Sequence, residues 1–174
     1  MEGFINPIEV LGQLELNPTM KAADFGCGSG GWVLPLAKLL NEGWVYAIDI
    51  LEEPLSALSS KAQQQKLSNI ETLRADIEAS NGVKLGDQSC DLVLLTNILF
   101  QTEDKQKVLN EAKRIIKNNG KILVVDWKPG STLGPKEGRV SLEEITKLAE
   151  PLNLKIAKEF SAGQYHWGLI LEKP

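Results

Sequence analysis

A mostly parallel β-sheet covered by helices on both faces is the fold class this sequence predicts, on three observations. Short apolar runs alternate with helical patterns along the chain. Several runs are too continuously apolar for a strand with one face in water. The last two runs are separated only by Ser161-Ala162-Gly163-Gln164, a connection that makes an antiparallel hairpin.

In chain order, strands are expected at Lys21–Phe25, Trp44–Asp49, Ile70–Arg74, Cys90–Thr96, Lys121–Asp126, Leu154–Phe160 and Tyr165–Leu171, seven in all. Helical patterns fall between them at Trp32–Leu40, Pro54–Gln65, Asp104–Ile116 and Leu142–Leu148. The third helix shows Val108, Leu109, Ala112, Ile115 and Ile116 on one face. Helices in these places suit parallel crossovers, which need a dozen or more residues. Asn118-Asn119-Gly120 is expected to stop that helix with a left-handed C-cap. Ser141 followed by Glu144 reads as a capping box for the last helix. Lys128–Arg139, with Gly130, Gly134, Pro135 and Gly138, reads as a long flexible loop and a candidate lid.

The chain has 174 residues, 43% hydrophobic and 24% charged, which suits one globular domain over 1–174 with its own core. A net charge of -4 gives no excess of positive charge to draw a polyanion, so nucleic acid is not the expected partner. No apolar run approaches the roughly 20 residues that span a bilayer, and Met1-Glu2-Gly3-Phe4 lacks the basic and apolar regions of a secretion signal. A cytoplasmic protein without a membrane partner is expected. Cys27 and Cys90 then read as free thiols. One histidine and two separated cysteines supply no ligand spacing for zinc or iron, and no metal is expected.

Asp24-Phe25-Gly26-Cys27-Gly28-Ser29-Gly30-Gly31 follows the first strand and opens the first helix, where missing Cβ atoms let the backbone approach a ligand. Two patterns fit it. Gly26, Gly28 and Gly31 match the dinucleotide GxGxxG, while Asp24, Gly26, Gly28 and Gly30 match D/E-x-G-x-G-x-G of methyltransferases. The glycines alone do not choose between them.

Three further segments carry a resemblance. Tyr46-Ala47-Ile48-Asp49-Ile50 is a second strand ending in an acid, and Arg74-Ala75-Asp76-Ile77 and Cys90–Gln101 fall where the third and fourth strands end. With Asp24–Gly30, these segments make the chain resemble a class I S-adenosylmethionine-dependent methyltransferase of the small, single-domain, type 11/25-like kind, over almost its whole length. The resemblance implies a three-layer Rossmann-like fold with strand order 3-2-1-4-5-7-6 and an antiparallel seventh strand. S-adenosylmethionine is the implied cofactor and S-adenosylhomocysteine the product.

The cofactor-binding positions implied are Asp24, Gly26, Cys27, Gly28, Gly30, Asp49, Ile50, Asp76, Ile77 and Asn97. Asp49 would accept bonds from the ribose hydroxyls, as an acid ending a second strand does in nucleotide-binding sheets. Asp76 would meet the adenine amino group, with Ile77 lining the base and Ile50 packed on its other face. Asp24 would receive the methionyl ammonium, and the Asn97 backbone would touch the same moiety. Cys27 is read as a small loop residue and not a nucleophile.

A sulfonium already activates its methyl group, so the protein must chiefly align an acceptor in line with that carbon and exclude water. A base is needed only for an acceptor protonated at neutral pH. His166, the sole histidine, is the candidate catalytic residue, placed near the ligand edge with Gln164 and Tyr165 by the hairpin turn. Phe100, Trp127 and Tyr165 are candidates for an aromatic wall, and Asp126 for a holder of a cationic substrate. The N-terminal segment 1–18, chiefly Gly3–Leu16, is expected to help cover the substrate.

Absences narrow the acceptor. Thr96-Asn97-Ile98-Leu99-Phe100 is not the Asn/Asp-Pro-Pro-Tyr/Phe motif of amide and exocyclic-nitrogen methylators, and two cysteines are too few for the familiar arsenite enzymes. The lysines and arginine between 105 and 121 are interleaved with acids and read as a solvated face. A small molecule is therefore the expected acceptor, with a protein side chain second. The sequence leaves the oligomeric state open. Two rival readings stand: a non-catalytic cofactor binder or scaffold of the same fold, and an NAD-dependent oxidoreductase, against which no Tyr-x-x-x-Lys pair is present.

Overall fold

Seven strands form one sheet in the order β3-β2-β1-β4-β5-β7-β6 in the computed structural model, which describes residues 5–174. The strands are β1 Lys21–Phe25, β2 Trp44–Asp49, β3 Ile70–Arg74, β4 Cys90–Thr96, β5 Ile116–Trp127, β6 Lys155–Ser161 and β7 His166–Glu172. The first five are parallel, and β7 runs antiparallel to both β5 and β6. The class and strand order anticipated above are those observed.

Alternation along the strands sorts their side chains into two cores. Ala23, Phe25, Val93, Leu95, Ile122 and Val124 face α4 (Lys105–Ile115) and α5 (Leu142–Ala149). Ala22, Val45, Ala47, Leu92, Leu94, Leu123 and Val125 face α1 (Pro7–Leu11), α2 (Val33–Leu39) and α3 (Glu52–Gln64). α4 and α5 start at side-chain caps. Asp104 accepts from the Lys107 amide at 3.1 Å, and Ser141 accepts from the Glu144 amide at 3.0 Å. β6 is the exposed edge, guarded by Lys155, Lys158 and Glu159.

Two expectations change. Asn118-Asn119-Gly120 does not cap α4, which stops at Ile115 with Ile116 already extended. Ile116 pairs with Cys90, and the pairing resumes only at Lys121 with Leu92, so the three residues lie inside an irregularity of β5. Asn119 does take the left-handed conformation, at φ 61°, and its amide donates to the Lys173 carbonyl.

Of the N-terminal segment expected to help cover the substrate, Gly3 and Phe4 lie outside the described residues. Val10 and Leu11 are buried, and α1 packs on α2 because its apolar spacing presents a helical stripe to that core. Asn6–Ile8 border Ser29–Gly31, but Leu14–Leu16 lie beside Asp91 and Lys121, at the opposite edge of the sheet from the glycine loop.

The second change concerns the loop after β5. Its expected flexibility rested on its glycines, yet Arg139 draws it together by donating to the carbonyls of Pro129, Ser131, Leu133 and Pro135. One guanidinium thus satisfies four loop carbonyls that would otherwise need water.

Candidate active site

The C-terminal ends of β1, β2 and β3 bound a cleft of about 260 Å³, lined by Gly26, Asp49, Ile50, Asp76, Ile77 and Ile98 among others. Its floor is the turn after β1. The amides of Gly26 and Cys27 both donate to the Ile48 carbonyl, at 2.8 and 2.9 Å, and the Gly30 amide donates to the Cys27 carbonyl at 3.0 Å. Gly26, Gly28 and Gly30 have φ of 70°, 51° and 91°. A Cβ at Gly26 would stand 2.4 Å from Ile98 Cδ1, so the close approach also requires glycine there.

Gly31 has an ordinary backbone conformation, and a Cβ on it would meet open space. The glycines under backbone constraint are therefore those of D-x-G-x-G-x-G. The third glycine of the dinucleotide pattern, needed there for close helix–strand packing, has no such role here.

Asp49 ends β2 and ties the loop to the cleft. Its Oδ2 accepts from the Gly28 amide at 2.9 Å and its Oδ1 from the Leu51 amide at 3.0 Å. Asp76 follows β3 on the exposed side, its Oδ1 accepting from the Glu78 amide at 2.9 Å, while Ile77 beside it is buried. Ile50 is 56% exposed over the cleft, an apolar surface with no protein neighbour to account for it.

Asp24 is 0% exposed and neither of its carboxyl oxygens has a hydrogen-bond partner. Burial, and secondarily the Asp49 carboxylate, push it well above the usual carboxylate range. Asn97, just after β4, sits at φ 53° with its side-chain oxygen buried and unpartnered. Its amide is already used, donating to the Val125 carbonyl at 2.8 Å, and its carbonyl accepts from Gln101 Nε2 at 3.0 Å. Cys27 and Cys90 are free and buried. Burial pushes the Cys27 thiol far up, with Asp24 and Asp49 adding to the effect, which suits an inert loop residue.

The other half of the edge is covered. Trp127, the last residue of β5, pairs with His166, the first of β7, and their rings meet with centroids 4.1 Å apart. A Cβ on Gly134 would stand 2.4 Å from Trp127 Cε3, so the stapled loop lies against the indole. Trp127 is thus half-buried between His166 and the loop. His166 is 2% exposed, and neither ring nitrogen has a partner. Desolvation and the nearby Lys128 lower its pKa to about 4. Lys128 Nζ donates to Ser161 Oγ and to the carbonyls of Gly163 and Gln164, which fixes the hairpin turn.

Asp126 is no receptor for a cation. Its Oδ2 accepts from the Leu99 and Phe100 amides at 3.1 and 3.3 Å, and its Oδ1 from the Trp127 amide at 2.8 Å. It anchors the turn after β4, with burial raising its pKa to about 6 against the pull of those three amides.

Several contributors escaped the sequence reading. Glu78 and Thr102 also line the cleft, and Lys61 reaches from α3 to Ser29, donating to its carbonyl and hydroxyl at 3.1 and 3.0 Å. Only Glu78 left a trace, standing two residues after Asp76 where an Asx turn would place it.

Comparison with known proteins agrees with this architecture. A family model described as a methyltransferase domain matches residues 16–168. The chain is 27% identical over 157 residues to a demethylmenaquinone methyltransferase of Bacillus mycoides, an alignment covering 88% of this chain and 64% of that protein. The chain therefore spans a little under two thirds of such a relative's length. A solved SAM-dependent methyltransferase from Aquifex aeolicus superposes with a TM-score of 0.87 at 26% identity, covering 96% of this chain and 89% of that one. The cyclase SpnF shares the fold at a TM-score of 0.83 and 14% identity, covering 97% and 80%.

Proposed function

The chain belongs to the methyltransferase domain family, and from that premise we propose that it transfers a methyl group from S-adenosylmethionine to a small-molecule acceptor at the C-terminal edge of the sheet. One observation carries the reading: the buried, unpartnered carboxyl of Asp24, two residues before Gly26 and within reach of the Asp49 charge, where Gly26 and Asp49 line the cleft and Asp49 holds the Gly28 amide. Such a carboxyl calls for a cation. An adenosyl group carrying an amino acid offers an ammonium for Asp24, ribose hydroxyls for Asp49 and a base for the cleft between Ile50 and Ile77. Asp76 is available to its amino group, and Gly26, Cys27, Gly28 and Gly30 supply the backbone floor, with Asn97 beside them.

When bound, the sulfonium supplies an activated methyl carbon. The protein's own work is to hold that ligand by its ends, direct the acceptor along the axis of the breaking bond and keep water out. Orientation alone is worth about 7–11 kcal/mol of barrier in well-aligned systems. Where the acceptor carries a proton at neutral pH, His166 is the candidate to receive it, as a neutral imidazole with both nitrogens free of protein partners. Demethylmenaquinone, named by the relatives, is the first acceptor to try. The alternative is a non-catalytic cofactor-binding or scaffold member of the same fold, since a fold alone does not decide chemistry.

The test is calorimetric titration with S-adenosylmethionine, S-adenosylhomocysteine and NAD, alongside Asp49→Ala. Micromolar or tighter binding of the two adenosyl-sulfur compounds is expected, with no heat from NAD and most of the heat lost in the variant. Binding of NAD in their place would overturn the assignment, and no binding at all would leave a scaffold. Release of S-adenosylhomocysteine with an acceptor separates an enzyme from a silent binder.

A further inference from the structure

Among the described residues, Asp24 is the one carboxyl group with both oxygens buried and without a hydrogen-bond partner. Its surroundings explain why nothing in the chain satisfies it. It lies in mid-sheet, in register with Ala47 on β2 and Leu94 on β4, and on the face shared with Ala22. The charge that acts on it comes from Asp49, another acid, and the nearby ionisable group on the glycine loop is the Cys27 thiol. No lysine, arginine or histidine of the described residues forms an ion pair with it. An ionised carboxylate cannot be held there alone; it takes a proton.

We propose that Asp24 carries a proton in the ligand-free chain and releases it to solvent as the α-ammonium of the cofactor docks, so that cofactor binding is coupled to the loss of one proton. This rests on the function proposed above. The balance is simple: the carboxyl O–H bond breaks, the proton passes to the buffer, and the carboxylate accepts N–H bonds from an ammonium that keeps its own charge. Asp49 remains hydrogen-bonded to the Gly28 and Leu51 amides and takes no part in the exchange.

The sign follows from linkage. A ligand whose docking expels a proton binds more tightly as pH rises, by about tenfold per pH unit while Asp24 is protonated in the free chain, and the dependence flattens above that range. A ligand without an ammonium gains nothing from the exchange. Asp24 thereby selects for the amino-acid end of the cofactor, not merely for its adenosyl end.

The experiment is titration of the full chain with S-adenosylhomocysteine between pH 5 and 7 in buffers of different ionisation heat, which counts protons released per ligand bound. Carboxyl-carbon NMR follows Asp24 directly in the free and bound chain. We expect close to one proton released at the acid end of the range, an Asp24 signal that is protonated when free and ionised when bound, and no release with methylthioadenosine, which lacks the ammonium. In Asp24→Asn the release is expected to vanish and any remaining affinity to lose its pH dependence. Binding without proton release across the range, an ionised Asp24 in the free chain, or release that persists in Asp24→Asn would each overturn the proposal. Absence of any binding would instead strike at the cofactor reading itself.

Discussion

The two halves of the sheet's C-terminal edge are built by opposite means. At the ends of β1 to β3 the geometry is carried by backbone: three glycines at positive φ, two amides sharing the Ile48 carbonyl, and Asp49 gripping the Gly28 amide. At the ends of β5 and β7 it is carried by side chains: Trp127 on His166, Arg139 on four carbonyls, Lys128 on the hairpin turn. Backbone pinned by its own hydrogen bonds in dihedrals that only glycine adopts freely has few ways to change, whereas a loop latched by side chains can be released by breaking a few hydrogen bonds. On the function proposed above, the first half would hold the invariant cofactor and the second would admit the acceptor.

The largest effect should come from attacking the backbone half. Gly26→Val demands a β-branched residue at φ 70° and drives its Cβ into Ile98. The left-handed penalty and the overpacking together cost about 2–4 kcal/mol. Urea denaturation should register that loss, and calorimetry should find no S-adenosylmethionine binding. Gly31→Ala is the paired control, because its backbone is ordinary and its Cβ would meet open space. Equal damage from the two substitutions would show that the contrast drawn between the glycine patterns is mistaken.

A smaller and more local effect is expected from Arg139→Ala. The substitution frees four carbonyls of a surface loop, and each charged hydrogen bond lost is worth about 1.5–3 kcal/mol before water takes its place. Water can reach most of this loop, so global stability should fall by only about 1 kcal/mol. Amide hydrogen exchange across 129–138 should instead rise roughly ten- to hundredfold. Cofactor affinity should stay within about twofold of the parent, since no residue of the loop itself lines the proposed cofactor cleft, which it meets only through Phe100 and Gln101. A marked loss of affinity would mean that the two halves are coupled after all.

The same division explains what is legible in the sequence. Strand positions, the glycine loop, Asp49 and Asp76 are read from local pattern, because strand periodicity and glycine spacing are properties of neighbouring residues. Arg139 gives no such sign. The glycines of its loop suggest flexibility, and only the folded path brings four carbonyls around one guanidinium. Asp126 misleads for a related reason. An acid at a strand end faces a ligand or a neighbouring turn with equal ease, and here the Leu99, Phe100 and Trp127 amides claim it. Asn118–Gly120 has the expected conformation at Asn119 but a different partner, since β5 begins before the turn that the sequence assigns to the helix end.

The smallest effect, and the one whose sign is most informative, concerns His166→Phe. Neither imidazole nitrogen is satisfied, and leaving a buried polar group unpaired costs about 1–3 kcal/mol, so a ring of similar shape without them should raise stability at pH 7. A gain of about 1 kcal/mol corresponds to roughly 2–4 °C in Tm for a chain of this size. Acidification enlarges the difference. His166 titrates near 4 in the folded chain, against about 6.5 when unfolded, so between those values the unfolded state binds more protons and the parent loses stability as pH falls. Asp126, raised to about 6, works the other way, because the folded state takes up a proton before the unfolded one and gains stability as pH drops through that value. Removing the imidazole leaves the carboxyl contribution exposed. The variant's advantage in Tm should therefore widen steadily from pH 6.5 to pH 4.5, as read by thermal melts of both chains. A constant gap would mean that His166 finds a hydrogen-bond partner in solution, and with it that the covered half of the edge opens to water far more readily than its packing against Trp127 implies.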